Sequence, residues 1–269
     1  MDSLIDLGRV LFAIAIAAFG VQYLHYGRFV SGLPPVPPWI PGGSFLAYVV
    51  GAALVVAGLG IAAKMKARLA ATLVGILFFC CVLFLHAIRA VAILYDGGIR
   101  TGAFEALALS GAAFALAGAL PIEQPYVSGW DTLTNRLAKA GRFIFAISML
   151  VFGVQHFMYA AYIATLVTAW IPGHLFWVYF TGVGFIAAGL CIAFNRLASL
   201  AAASLGLMFF LWVCVLHGPR VAARLHNGDE WNSAFVALAM CGASFIIAGV
   251  MSNEHKSLKF ESAFAPEAQ

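Results

Sequence analysis

The sequence predicts an all-α polytopic membrane protein, with eight transmembrane helices arranged as two pseudo-symmetric four-helix bundles. Composition is the first indication, because 63% of the 269 residues are hydrophobic and only 10% are charged, whereas soluble domains carry about 25% charged residues. Eight apolar segments of membrane-spanning length are the second indication. The third is an internal repeat that includes polar and proline positions as well as apolar ones.

The eight apolar segments are each long enough to cross an apolar core of about 30 Å. We expect them at residues 7–26, 44–63, 69–89, 102–120, 141–159, 174–194, 197–217 and 232–251. Backbone groups in lipid need partners within their own segment, which favours helices. The first segment lacks a small-x-small cleavage pattern, so we expect it to be kept as the first span.

The repeat relates residues 1–120 to residues 141–251, and we expect a polar linker at 121–140 and a polar tail at 252–269. The matched positions are Gly8-Arg9 with Gly141-Arg142, Phe19-Gly20-Val21-Gln22 with Phe152-Gly153-Val154-Gln155, Trp39-Ile40-Pro41-Gly42 with Trp170-Ile171-Pro172-Gly173, and Gly111 and Gly118 with Gly242 and Gly249. Each unit has an even number of helices, so both should run in the same direction about an axis along the membrane normal. The repeated glycines should allow close helix approach.

Lysine and arginine predict the orientation, because they are enriched on the cytoplasmic side of membrane proteins. Ten lie on the side of the two termini and the linker, and five lie on the other side. We therefore expect a multi-pass protein of the bacterial inner membrane with both termini in the cytoplasm. The net charge of +4 comes from residues in the loops, where orientation signals belong, so nucleic acid is not an expected partner.

Two His-x-x-Arg motifs end the third and seventh apolar segments, at His86–Arg89 and His217–Arg220. Ionisable groups near the end of a span are costly and are functional candidates. The first and fifth spans bring Gln22 with His25, and Gln155 with His156, to the same depth. We expect both motifs to face the bundle interiors or the cleft between the halves, with Gln22 and Gln155 as partners.

The second copy is the favoured site, since Tyr162 and His174 could join His217 there. Pro219 should break the helix within this motif and free carbonyl groups at its end. Glu105 has no counterpart in the repeat, where Val236 stands, and is expected to serve as a structural acid in a first helical turn.

A quinone headgroup is the first ligand class that this set suits. Its carbonyl oxygens need hydrogen-bond donors in an apolar slot, and histidine carries protons near neutral pH. Haem b is the second class, with His25 and His86, or His156 and His217, as axial pairs. The simpler alternative is that these side chains only reach interfacial water and lipid phosphates. A metal site is not expected, because no cluster has metal-ligand spacing.

The glycine-arginine start of the first span, the glutamine that ends it and the Trp-Ile-Pro-Gly turn resemble the DoxX-like family of bacterial membrane proteins. So does the run at 179–190, which is followed by Asn195-Arg196-Leu197-Ala198. The chain resembles a tandem of that unit. The resemblance implies association with membrane redox complexes, since relatives include a subunit of a thiosulfate:quinone oxidoreductase and a partner of secreted antioxidant enzymes.

The expected function is that of a subunit or accessory of a membrane redox complex, which binds quinone near the outer face. A non-catalytic membrane anchor is one alternative, and a carrier or receptor for a small hydrophobic molecule is the other. The lipid bilayer is the first expected partner, followed by other subunits of such a complex. Whether the protein is an enzyme does not follow from the sequence.

Overall fold

The computed structural model describes residues 3–30, 42–86, 93, 95–122 and 129–263. Over these residues it is helical without any strand, and eight helices are long and apolar enough to cross a membrane. The predicted all-α, polytopic fold class is therefore confirmed, and the many apolar side chains on its outer surface suit contact with lipid. Arg89 and the first Trp-Ile-Pro-Gly turn lie outside the described residues.

Ten α-helices form the described part of the chain. In order they are α1 (Ser3–Tyr26), α2 (Gly43–Ala63), α3 (Ala67–Cys80), α4 (Gly97–Ala119), α5 (Gly129–Met158), α6 (Ala160–Leu166), α7 (His174–Ala193), α8 (Ala198–Trp212), α9 (Gly218–Ala223) and α10 (Gly228–Ala263). Two π-helical segments, Cys81–His86 and Val213–His217, continue α3 and α8. The second of these joins α8 to α9, so that a single span runs from Ala198 to Ala223.

Several turns recur at the spacing of the repeat. Lys64 and Lys66, between α2 and α3, have positive φ angles, and so do Asn195 and Leu197, which stand 131 residues later between α7 and α8. Positive φ is costly for residues with a side chain, so its recurrence indicates one turn built twice. Asp96 caps α4 through bonds from the backbone of Gly98 and Ile99, and Asn227, its counterpart, accepts from the backbone of Asp229.

The spanning helices form two rings that share α4 and α10. The first ring contains α1, α2, α3, α4 and α10, and the second contains α4, α5, α7, α8 and α10, with each helix packed on its neighbours in that circular order. In α4 and α10, 72% of the residues in the apolar 18-residue stretch of the span are buried inside the protein, against 22–50% in the other spans. These two helices therefore form the centre of the molecule.

The joints between the two halves are helix contacts that depend on glycine. In one joint α1 packs on α10, and a Cβ atom on Gly8 would lie 2.6 Å from the carbonyl oxygen of Gly242. In the other joint α4 packs on α5, and a Cβ atom on Gly111 would lie 2.5 Å from the carbonyl oxygen of Gly141. The prediction that the repeated glycines allow close helix approach is therefore confirmed.

Helices extend into both polar segments, and the helix around Pro219 differs from the expectation. The linker predicted at 121–140 is helical from Gly129, and the tail predicted from residue 252 continues α10 to Ala263. Pro219 was expected to break its helix, and that prediction is wrong. The π-helical segment before it closes with the amide of Gly218 bonded to the carbonyl of Val213. Pro219 then occupies the first turn of α9, where a missing amide hydrogen costs little.

Candidate functional site

Two buried glutamines mark one membrane end of the molecule, which we name the glutamine end. Gln22 of α1 donates from Nε2 to the carbonyl oxygen of Gly228, 2.6 Å away at the start of α10. Gln155 of α5 donates from Nε2 to the carbonyl oxygen of Gly97, 3.0 Å away at the start of α4. Gly97 and Gly228 are counterparts in the repeat. Each glutamine therefore bonds to the opposite half, which was not expected.

The arginine of the second motif is bound to α10. The Arg220 Nε atom lies 2.8 Å from Glu230 Oε2, and Arg224 Nη1 lies 3.1 Å from Glu230 Oε1. Arg220 also donates to the carbonyl oxygen of Leu166, which connects the end of α6 to this cluster. The expected glutamine partners are thus wrong for Arg220. Glu230 is 5% exposed and its counterpart is Ile99, so the repeat contained no signal for this pair.

The histidines occupy different environments. His25 is exposed at the end of α1, where its ring lies 4.8 Å from that of Tyr26. His86 ends the first π-helical segment, and His217 ends the second. The Nδ1 atom of His217 is buried without a hydrogen-bond partner. In the described ranges, no three His, Cys, Asp or Glu side chains are grouped as metal ligands would be.

His156 belongs to a series of aromatic rings inside the second ring. Its imidazole lies 5.2 Å from the ring of Phe185 on α7. Phe185 in turn lies 5.9 Å from Phe152 of α5 and 5.6 Å from Phe209 of α8. The His156 Nδ1 atom is 2.8 Å from the carbonyl oxygen of Phe152. A carbonyl only accepts, so Nδ1 carries the proton and Nε2 remains an acceptor in the neutral ring.

The same positions in the first ring are packed more closely. The counterparts of Phe152, His156, Phe185 and Phe209 are Phe19, Tyr23, Leu54 and Phe78, which are 1%, 1%, 2% and 4% exposed. In the second ring His156 and Phe209 are only partly buried. These two positions are therefore less completely covered in the second ring, although both rings are built on the same helical framework.

Glu105 lies on the side of α4 that faces this second interior. Viewed along the axis of α4, Gly97 and Gly111 lie on the side of the helix that contacts α5. Relative to Thr101, Glu105 is rotated by about 40° in the opposite direction, toward α10. Its side chain is partly exposed and makes no hydrogen bond or ion pair with any described residue. Val236, its counterpart, is 8% exposed. Glu105 was expected in the first turn of its helix, and that prediction is wrong, because α4 begins eight residues earlier at Gly97.

A surface cleft of about 590 Å³ opens at the glutamine end, beside the bond between Gln22 and Gly228. It lies between the end of α1 and the turn from α9 to α10, and its charged or titratable lining residues are Arg28, Arg224, His226 and Asp229. The cleft therefore borders Gly228, which accepts from Gln22, and Arg224, which pairs with Glu230. At the other joint, Arg100 donates to the Tyr159 hydroxyl over 2.8 Å.

The eight long apolar helices in the described part of the chain define an integral membrane protein. The chain matches no protein-family model, and comparisons with curated proteins and with solved structures found no match. The resemblance to DoxX-like proteins therefore stays a prediction.

Proposed function

We propose that the protein binds a small aromatic headgroup of the quinone class inside the second ring, near the glutamine end. It would serve a membrane redox complex by holding this molecule, as the DoxX-like resemblance also suggests. The observation that carries the proposal is the difference between the rings. At equivalent positions the first ring has the buried Phe19, Tyr23 and Leu54, whereas the second has the partly buried His156 beside the ring of Phe185.

The chemistry of the second interior suits such a headgroup. Phe152, Phe185 and Phe209 offer ring faces and edges against which a planar ring can pack. His156 adds a polar imidazole whose Nε2 atom can accept a hydrogen bond. An apolar site with a few convergent polar groups is the usual form of a small-molecule pocket.

Direct analysis of the purified protein tests the proposal. The protein is purified in a mild detergent, extracted with organic solvent, and the extract is analysed by mass spectrometry for quinones. Binding of an added short-chain benzoquinone is followed by quenching of tryptophan fluorescence. We expect quinone in the extract and saturable quenching. His156→Leu should weaken binding about tenfold, the effect of losing about 1.4 kcal/mol.

His25→Leu is the matched control, because His25 is an exposed histidine at the same membrane end. Its binding curve should equal that of the wild type. Absence of quinone from the extract together with absence of saturable quenching would overturn the proposal. The anchor hypothesis, or a carrier of another hydrophobic molecule, would then be favoured.

A further inference from the structure

The surface cleft at the glutamine end contains an arginine that the protein itself does not use. Arg28, which follows α1, and Arg224, which follows α9, line the cleft together with one acid, Asp229. Arg28 is exposed and forms no hydrogen bond or ion pair with any residue in the described part of the chain. Its guanidinium therefore keeps all of its N–H donors for water or for a ligand.

Arg224 adds donors to the cleft that its own ion pair leaves over. Glu230 accepts from Arg220 through Oε2 and from Arg224 through Oε1, so two guanidinium groups share one carboxylate. The Arg224 side chain is 67% exposed, and it bonds to Glu230 through Nη1 alone. Asp229 balances only one further arginine. The cleft and the ion pairs beside it therefore have an excess of positive charge, to which Arg28 contributes.

The other joint has the same framework without arginines at these two positions. Tyr26 packs on Gly228, where an added Cβ atom would lie 3.0 Å from the tyrosine ring, and Tyr159 packs on Gly97, where this distance would be 2.9 Å. At the second joint the counterparts of Arg28 and Arg224 are Ala161 and Ile93. The packing of the joint therefore does not require the two arginines, which favours a binding role for them.

The cleft lies at the boundary of the membrane. Tyr26 ends α1 and Gly228 begins α10, so the cleft is bordered by the ends of two spans. Leu225, another lining residue, is 60% exposed and places apolar surface beside the arginines. Arginine can bind a phosphate group through two parallel N–H donors. A phosphate group attached to acyl chains would match both the charge and the apolar surface.

We propose that this cleft binds the phosphate group of an acidic phospholipid, with Arg28 and Arg224 as the donors. The excess of positive charge favours an acidic headgroup over a zwitterionic one. The same headgroup without acyl chains offers the same phosphate oxygens but nothing that could pack on Leu225, so the lipid should bind more tightly. The proposal is independent of the quinone-class ligand, which concerns the second ring.

Three compounds test the proposal on the purified full-length protein, held in amphipol and washed free of lipid. They are dihexanoyl phosphatidylglycerol, dihexanoyl phosphatidylcholine, and glycerophosphoglycerol, which is the first headgroup without its acyl chains. Isothermal titration calorimetry measures the affinity for each. The phosphatidylglycerol should bind saturably and about tenfold more tightly than the other two, because only it combines charge-assisted hydrogen bonds from arginine with a net negative charge and acyl chains. Added salt should weaken this binding.

Arg28→Gln removes a charge without breaking any described contact. This variant should keep the melting temperature of the wild type and bind phosphatidylglycerol about fivefold more weakly, the usual effect of one basic residue at a lipid surface. Arg28→Gln combined with Arg224→Gln should weaken binding further. The matched control combines Arg136→Gln with Arg196→Gln, since both arginines are exposed at the opposite membrane end. It changes the net charge equally and should bind as the wild type does.

The proposal has clear contrary results. Equal affinities for phosphatidylglycerol and phosphatidylcholine would overturn the acidic headgroup. Glycerophosphoglycerol that binds as tightly as the lipid would overturn the lipid and assign the cleft to a soluble phosphate ester. An unchanged affinity in Arg28→Gln, or an equal loss in the control with two substitutions, would overturn the cleft as the site. None of these results would affect the proposed quinone-class ligand.

Discussion

At the scale of single residues, Arg68 is a buried arginine that needs several hydrogen-bond partners. It is 5% exposed and lies at the membrane end opposite the glutamine end. Its guanidinium lies 3.3 Å from Asp131 and donates to Asn135 and to the carbonyl oxygens of Ala117 and Leu120. The arginine therefore joins the start of α3 to the end of α4 and the start of α5, across the boundary between the halves.

Arg68→Ala should lower the free energy of unfolding by about 3–5 kcal/mol, because it leaves the Asp131 carboxylate buried without its arginine. Thermal unfolding of the purified protein in detergent measures the effect. Arg142→Ala is the matched control, since Arg142 pairs with Glu254 at a more exposed site and should cost about 0–1 kcal/mol. Equal losses in both variants would contradict the role given to Arg68.

Gly242 is the second residue with a clear prediction. A Cβ atom there would meet the backbone of Phe12, and it would lie 2.8 Å from the carbonyl oxygen of Gly8. Backbone atoms cannot turn aside as a flexible side chain can. Gly242→Ala should therefore force α1 and α10 apart and destabilise the protein by about 1–3 kcal/mol or more.

The same thermal unfolding measurement tests this prediction. Gly129→Ala is the control, because a Cβ atom on Gly129 meets nothing within 4 Å, and its melting temperature should be unchanged or slightly higher. A melting temperature for Gly242→Ala equal to that of the wild type would mean that the joint between α1 and α10 is looser than described.

At the scale of elements, the two π-helical segments are the least regular features. Both come at the glutamine end of the third helix of a unit, and both end at the histidine of a His-x-x-Arg motif. Single π-turns within α-helices are often found at functional sites. The apolar runs themselves were predictable from composition, whereas a π-turn leaves the hydropathy pattern unchanged and could not be predicted from it.

A π-turn contains one residue more than an α-turn of the same helix, so removal of one residue should convert it to α-helix. Deletion of Cys214, which is exposed, should therefore be tolerated and leave a folded protein. It should also displace His217. Deletion of Leu207 is the control, because that residue is also exposed but lies within α8, and its loss would rotate the rest of the helix by about 100°.

The two deletion variants are compared by size-exclusion chromatography and by their melting temperatures. The variant without Cys214 should elute as the wild type does, whereas the variant without Leu207 should unfold or aggregate. An equal loss of melting temperature in both deletion variants would mean that the neighbouring residues hold the π-turn rigidly.

At the scale of the whole molecule, the repeat predicted which positions are equivalent but not which copy they contact. Gln22 and Gln155 were placed at the same depth from sequence alone, and both do lie at the glutamine end. Their partners, Gly228 and Gly97, lie in the other half. That exchange depends on the close approach of Gly8 to Gly242 and of Gly111 to Gly141, a three-dimensional match that periodicity does not contain.

The contacts between the halves also predict how a divided chain behaves. If residues 1–124 and 125–269 are produced as two separate chains in the same cell, they should assemble and purify together. The two joints, α1 with α10 and α4 with α5, and the contact of α4 with α10 do not need the covalent connection. An affinity tag on one chain measures recovery of the other.

Gly242→Leu should sharply reduce this recovery, because the larger side chain opens one joint, and Gly43→Leu, at a position with open space, should not. Recovery of the tagged half alone, even with wild-type sequences, would show that the joints cannot hold the halves together without the linker.

The two joints between the halves have a consequence for how such a molecule could have arisen. A chain with one four-helix unit could form both joints only with a second copy of itself, as an isologous dimer with twofold symmetry. In that dimer, every residue would appear twice in the same surroundings. Fusion into one chain removes this constraint, so one position can be Glu105 in the first half and Val236 in the second. One interior can then be filled for stability while the other keeps its acid and its histidine.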